Sequence, residues 1–190
     1  MNTSPATVKG LIIKGIIRFL RETYAEEGFR KFLDHLPEED REVWTGRQIL
    51  ATSKVPAIIY KNAYEAIETL WGKGDGKKFE EVAGVVAFYD LNTVMKFFMK
   101  VGSPGFVAQR LPSVWKQYFG AGTARLFHIT ENQMEIILEG AEEYGAAGCA
   151  GTLGWTRAAM KYAGAKNLKL TQKECIRDGA PRCHYVYSWE

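Results

Sequence analysis

Three cysteines, Cys149, Cys175 and Cys183, constrain the fold of this chain more than any other feature. Cys175 and Cys183 flank a short polar stretch, Cys-Ile-Arg-Asp-Gly-Ala-Pro-Arg-Cys, whose Asp178-Gly179 pair suits a turn. Each then sits on one arm of a hairpin, where cross-strand Cβ atoms lie about 4.5 to 5.5 Å apart. Cys149 stands 26 positions before Cys175 in a run rich in Gly and Ala, and a helix with so smooth a surface lets another backbone come close. Such a helix laid across the hairpin brings three thiols to one corner.

Ahead of that region, apolar residues recur at helical spacing. Leu11, Ile12, Gly15, Ile16, Phe19 and Leu20 predict a helix over 8–24, and Phe29, Phe32, Leu33 and Leu36 predict a second after a break near Gly28. Ile58, Ile59, Ala63, Ala66, Ile67, Leu70 and Trp71 mark a stripe over 55–71, with Pro56 admissible in the first turn. The Gly-Lys-Gly-Asp-Gly-Lys-Lys stretch that ends it follows a helix rather than a strand. It also lacks the Gly-Lys-Ser/Thr close of a phosphate loop, so nucleotide binding is not expected there. Further helical segments fall over 79–101, where Asp90 or Asn92 can cap a new start, and over 106–119, broken or bent near Pro112.

The period then changes. Residues 124–130 and 133–139 read as strands joined at Glu131-Asn132, 144–163 as a helix, and 168–176 with 183–189 as the cysteine hairpin. The expected fold class is α+β: a helical N-terminal two thirds packed on a four-stranded antiparallel sheet, with a strand-strand-helix-strand-strand C-terminal part. Residues 1–190 are expected to form one domain, since 46% apolar side chains suffice for a core of its own.

Charge excludes some partners. The 25 Lys and Arg against 22 Asp and Glu leave a net +3, with both signs mixed on the same helix faces, and no nucleic-acid partner is expected. The opening Met-Asn-Thr-Ser-Pro-Ala-Thr lacks the features of a signal peptide, and Lys14 and Arg18 interrupt the first apolar helix. A cytoplasmic protein with no membrane span is the expectation. There, three cysteines do not form a disulfide framework.

Three chemistries stay open for the thiols: small buried hydrophobes, a reversible disulfide, or a metal site. A tetrahedral metal centre needs a fourth ligand, and Glu174 and His184 are the candidates. Each is adjacent to a cysteine and so faces the other side of its strand unless a bulge intervenes. Nothing pairs a nucleophile with a base, because Cys183 and His184 face apart and Glu80-Glu81 and Glu142-Glu143 read as solvated pairs.

The run Gly148-Cys149, Gly154, Gly164, Glu174-Cys175, Gly179, Cys183 and Tyr185 resembles the 4-vinyl-reductase-type domain of bacterial aromatic-sensing regulators and stand-alone proteins. Its relatives by fold are the haem nitric-oxide-binding domains and the Bet3-like subunits of the TRAPP tethering complex. Lys9-Gly10-Leu11 through Tyr24, Gly28, Phe29 and Leu33 is similar to the opening helices of the haem-binding relatives. The resemblance implies metal-ligand roles, with zinc as the ion, for Cys149, Cys175 and Cys183. Gln172 stands where the family has a carboxylate ligand. None of His35, His128 and His184 falls where the haem-binding relatives carry their helical ligand, and neither Tyr-x-Ser-x-Arg nor Cys-x-x-Cys-His occurs. Haem is therefore not expected.

Aromatic residues crowd the middle of the chain, among them Phe88, Tyr89, Phe97, Phe98, Phe106, Trp115, Tyr118, Phe119 and Phe127. They fill a core, or they line an apolar cavity with Tyr89, Trp115, Tyr118 or His128 as polar handles. In relatives of this fold aromatic compounds, haem or an acyl chain lodge there. The expected ligand-binding residues are Tyr89, Phe97, Phe98, Trp115, Tyr118, Phe119, Phe127 and His128. The leading functional expectation is a non-catalytic sensor or adaptor for a small apolar or aromatic ligand, signalling through a protein partner and pairing as a homodimer. A ligand-free interaction subunit resembling vesicle-tethering components is the alternative, and a vinyl or tetrapyrrole reductase-like enzyme the second. No hydride-carrier motif accompanies that last reading, and fold kinship does not carry an activity.

Overall fold

The structure, a computed structural model, describes residues 5–46, 48–93, 103–127 and 130–190. Strand β1 (Thr7–Lys9) leads into helix α1 (Gly10–Asp34), followed by α2 (Glu38–Trp44), β2 (Lys54–Pro56) and α3 (Ala57–Trp71). β1 and β2 pair antiparallel, with Val8 opposite Val55, and so clip the starts of α1 and α3 together. Periodicity assigns both segments to helices, because three residues are too few to show a strand period. The break in α1 falls at Ala25, whose φ is 54°, three residues before Gly28. Gly28 is helical and crowded: a Cβ there would stand 2.3 Å from Cβ of Tyr24, whose ring stacks on Trp71 at 4.0 Å.

In α3 the apolar stripe is buried at Ile59, Ala63, Ala66 and Ile67, whereas Ile58 is 54% exposed. Its Glu68 reaches forward to the start of α4 (Lys77–Thr93), where Oε1 accepts the Phe79 N–H at 2.9 Å. Asp75 accepts the Lys77 N–H at 3.1 Å, so two amides that α4 cannot satisfy internally are bonded. The helical stretch expected over 106–119, broken or bent near Pro112, is broken there into two helices, α5 (Pro104–Ala108) and α6 (Leu111–Tyr118). Pro104 and Pro112 each occupy a first turn, where a missing N–H costs nothing, and Ser103 caps α5 through the Phe106 N–H at 3.3 Å.

The C-terminal part is the expected antiparallel sheet. Strands β3 (Thr123–Phe127), β4 (Gln133–Glu139), β5 (Lys169–Glu174) and β6 (Cys183–Ser188) lie in the order β3-β4-β6-β5, and α7 (Gly145–Tyr162) connects the two hairpins. Period-2 alternation turns Met134, Ile136, Leu138, Cys183, Tyr185 and Tyr187 inward, each no more than 2% exposed. The small residues of α7 are spent on close packing inside the fold. A Cβ on Gly154 would stand 2.0 Å from the Glu80 carbonyl oxygen of α4, and one on Gly151 would stand 2.2 Å from the Tyr60 hydroxyl of α3. Among the described residues no helix is long and apolar enough to cross a membrane.

Candidate functional site

The three cysteines do converge. Cys149 Sγ in α7 lies 3.0 Å from Cys183 Sγ and 3.2 Å from Cys175 Sγ, and the latter two are 3.9 Å apart. A bulge in β5 makes this meeting. Thr171 pairs with Val186 and Gln172 with Tyr185, but it is Glu174, not Lys173, that pairs with His184. The extra residue sets Cys175 instead of Glu174 across from Cys183. Beyond Cys175 the chain makes a one-turn 3-10 helix (Ile176–Asp178) and closes at Gly179, whose φ of 85° is left-handed. Gln172 braces this turn by donating to the Asp178 carboxylate at 2.9 Å.

All three thiols are buried, at 2, 1 and 1% exposure. The sulfurs share protons among themselves, and the Ile176 N–H donates to Cys183 Sγ at 3.4 Å. Contact with the Cys149 and then the Cys183 thiol draws the Cys175 thiol well down, while Cys149 and Cys183 are pushed up. The three separations form a triangle whose corners lie about 2.0 Å from its centre, so a point about 1.1 Å off its plane is about 2.3 Å from every sulfur, a Zn–S bond length. Neither candidate fourth ligand faces that point. Glu174 holds Arg182 at 2.6 Å, and His184 holds Glu135 at 2.7 Å.

A second feature lies between the helices and the inner face of the sheet, an apolar cavity of about 60 Å³. α1 contributes Ile12 and Ile16, α4 contributes Phe79, Val82 and Val86, and β4 contributes Ile136 and Leu138. Trp115, Tyr118 and Phe119 close it from the α6 side, Tyr60 from α3 and Trp155 from α7. Its aromatic rim is locked, with Trp115 stacked on Phe119 at 4.1 Å and Phe119 edge-on to Tyr144 at 5.0 Å. The Tyr118 hydroxyl donates to Asp90 Oδ2 at 3.0 Å. Asp90 is only 6% exposed, and burial pushes its carboxyl up to about 6 against the opposing pull of Tyr118. The Trp155 indole nitrogen is buried without an acceptor among the described residues.

Of the ligand-binding residues expected from sequence, Trp115, Tyr118 and Phe119 reach the cavity wall. Tyr89 lies at the α1–α4 seam, where its hydroxyl bonds Glu22 and its ring lies under the Arg18 guanidinium at 3.9 Å. Phe127 is 42% exposed at the end of β3. Phe97, Phe98 and His128 lie outside the described residues. Sequence reasoning missed Tyr60, Phe79 and Trp155. Gly151, opposite the Tyr60 hydroxyl, was a signal for the first, since glycine within a helix marks a close approach.

No family model matches this chain, and no curated protein does. Solved structures match it throughout. An H-NOX protein from S. oneidensis in the Fe(II)NO ligation state superposes with a TM-score of 0.75 at 11% identity, covering 96% of this chain and 99% of that one. The Fe(II) unliganded H-NOX protein from K. algicida gives 0.75 at 10% identity over 96% of both chains. A mutant of T. Tengcongensis H-NOX gives 0.65 at 16% identity, covering 96% of this chain and 97% of that one. The fold is thus the H-NOX fold. This corrects the expectation about cofactors. Missing motifs argued against haem, yet the fold is shared with proteins characterised in Fe(II) states, and one of the matching H-NOX structures addresses haem distortion. Motif absence misled because at 9 to 16% identity a fold outlasts the local spacings that the motifs encode. In this chain the described cavity wall offers no histidine or cysteine to an iron, and no axial ligand is assigned. His35 is exposed, with Nδ1 2.9 Å from the Lys31 carbonyl oxygen, and His184 is engaged by Glu135.

Proposed function

We propose that this chain is a small-molecule sensor or adaptor domain of H-NOX fold that encloses a compact, largely apolar ligand and signals its presence through a protein partner, a second copy included. The apolar cavity carries this reading. Interiors pack nearly as densely as organic crystals, so an apolar recess of about 60 Å³ walled by core side chains stands apart from the rest of the interior. Its wall joins five helices to the sheet, so an occupant touches every layer of the fold and can shift their packing. The fold likeness supports small-molecule sensing and brings haem among the occupants to be tested; the cysteine run supports kinship with the 4-vinyl-reductase-type sensors. Native mass spectrometry of freshly purified protein tests the reading. An extra mass that leaves on denaturation is the expected result, with an absorbance spectrum distinguishing haem from other occupants. A bare-chain mass together with no uptake of an apolar dye would overturn it in favour of a ligand-free interaction subunit.

A second reading concerns the thiol corner. We infer that Cys149, Cys175 and Cys183 are ligands of a soft divalent metal ion with a structural role. The convergence of three buried sulfurs within 3.9 Å of one another supports it, as does the bulge that sets Cys175 there at the expense of regular pairing. Such an ion would tie α7 to the β5–β6 hairpin.

A further inference from the structure

The thiol corner lacks one donor. Three sulfurs fill three positions of a tetrahedral shell, and neither Glu174 nor His184 reaches the fourth, because Arg182 and Glu135 hold them. Gln172, which the sequence resemblance places where related domains have a carboxylate ligand, is turned to Asp178 and offers only a neutral amide. The residue directly across the ladder from Gln172 is Tyr185. It follows Cys183 by two positions on β6, so period-2 alternation puts its side chain on the same inward face as that cysteine.

Tyr185 is fully enclosed, at 0% exposure, and its hydroxyl lies 4.0 Å from Cys175 Sγ. It also interacts with the Cys149 and Cys183 thiols. Among the described residues no oxygen or nitrogen takes up this hydroxyl, so a phenol that water does not reach is directed at three sulfurs. Sulfur is a weak partner for a buried hydroxyl. In a tetrahedral shell, bonds of about 2.3 Å to sulfur and about 2.0 to 2.2 Å to oxygen put the two kinds of donor about 3.5 to 3.7 Å apart. The 4.0 Å found here exceeds that by about half an ångström or less.

Resting on the reading of the three thiols as ligands of a soft divalent ion, we propose that Tyr185 is the fourth ligand and binds through its phenolic oxygen. A phenolate is an anionic oxygen donor, as a carboxylate is, and takes the part that Gln172 cannot. As the oxygen binds, its proton leaves to solvent, like the protons of the ligating thiols. Four protein donors close the shell, as in structural rather than catalytic centres.

The test uses the full chain purified from zinc-supplemented cells, alongside Tyr185→Phe and Tyr187→Phe. Tyr187 is the control, equally buried on the same face of β6, with a hydroxyl that bonds no thiol. Removal of zinc with a chelator should abolish a near-ultraviolet tyrosinate band in the parent and in Tyr187→Phe, in step with zinc release. Tyr185→Phe should show no such band, and its zinc affinity, measured by chelator competition, should fall about tenfold or more while that of Tyr187→Phe holds. Cobalt in place of zinc should give thiolate charge-transfer bands in all three proteins, showing that the variants are folded and keep their sulfur ligands. Cobalt–thiolate bands in the parent with no tyrosinate band would overturn the role of Tyr185 and leave the three-thiol centre standing. No zinc on the parent and no cobalt–thiolate bands would remove that centre as well.

Discussion

Replacing Gly154 by alanine places a methyl group where α4 and α7 touch backbone to backbone. The new Cβ would lie 2.0 Å from the Glu80 oxygen, 2.8 Å from its carbonyl carbon and 2.9 Å from its Cα, none of which can rotate away. Ordinary contact begins at 3.4 Å, so the helices must part by about 1.4 Å, the difference between the two distances. A radial gap of about 0.5 to 1 Å already forfeits a quarter to a half of the dispersion attraction across a contact. With rigid backbone on both sides, the cost belongs at the upper end of the overpacking range, about 3 kcal/mol. For a chain of this size that lowers the melting temperature by about 6 to 12 °C. Gly84→Ala is the internal control. It lies on the same seam, but its Cβ would meet Gly154 O at 3.5 Å and Ala158 Cβ at 3.8 Å, both ordinary contacts. Helix propensity then favours alanine by up to about 1 kcal/mol, and Gly84→Ala should melt at or above the parent temperature. Thermal unfolding followed by circular dichroism measures both. Gly154→Ala melting with the parent protein, or Gly84→Ala falling as far as Gly154→Ala, would refute this account of the seam.

Tyr144→Phe should cost about 2 kcal/mol, because the buried hydroxyl accepts the Ala121 N–H and donates to the Thr7 carbonyl, both at 2.9 Å, and its loss strands both groups; a lowered urea midpoint at unchanged slope is the readout. Asp90 titrates near 6 in the folded chain against an ordinary 3.8, so the folded state holds this proton more tightly and stability falls as pH rises between those values, then levels off. Asp90→Asn should lose that component, and identical pH profiles of the urea midpoint in the two proteins would contradict it. Elemental analysis of protein purified without chelator should find about one divalent ion per chain, absent from Cys149→Ser. Three titratable thiols with no metal and no change of melting temperature on chelation would argue for three buried hydrophobes instead.

The C-terminal half was more legible than the N-terminal because its signals are local. Alternation in β4 and β6 and the Asp178-Gly179 turn gave the hairpins, and the Gly and Ala run gave α7. What escaped depends on distant neighbours. β1 and β2 are strands only because they find each other, across 45 positions between Lys9 and Lys54. The kink at Ala25 carries no sequence mark, since alanine is ordinarily a helix former; glycine three residues later drew attention that belonged to its contact with Tyr24. The thiol corner was foreseeable in outline, but the bulge that brings Cys175 opposite Cys183 is a pairing shift no spacing encodes. Periodicity told of aromatic residues near the cavity, yet Tyr89 turned to Glu22 while Tyr60 and Trp155, from helices noted for other reasons, turned inward.

Crystals of protein purified without denaturation, then pressurised with xenon, interrogate the chamber between the helices and the sheet. Electron density for a retained ligand or for xenon in contact with Ile16, Val86, Trp115 and Ile136 is the expected result, since an apolar cavity takes up either. Side chains of those four residues closed on one another, with no density among them, would contradict it.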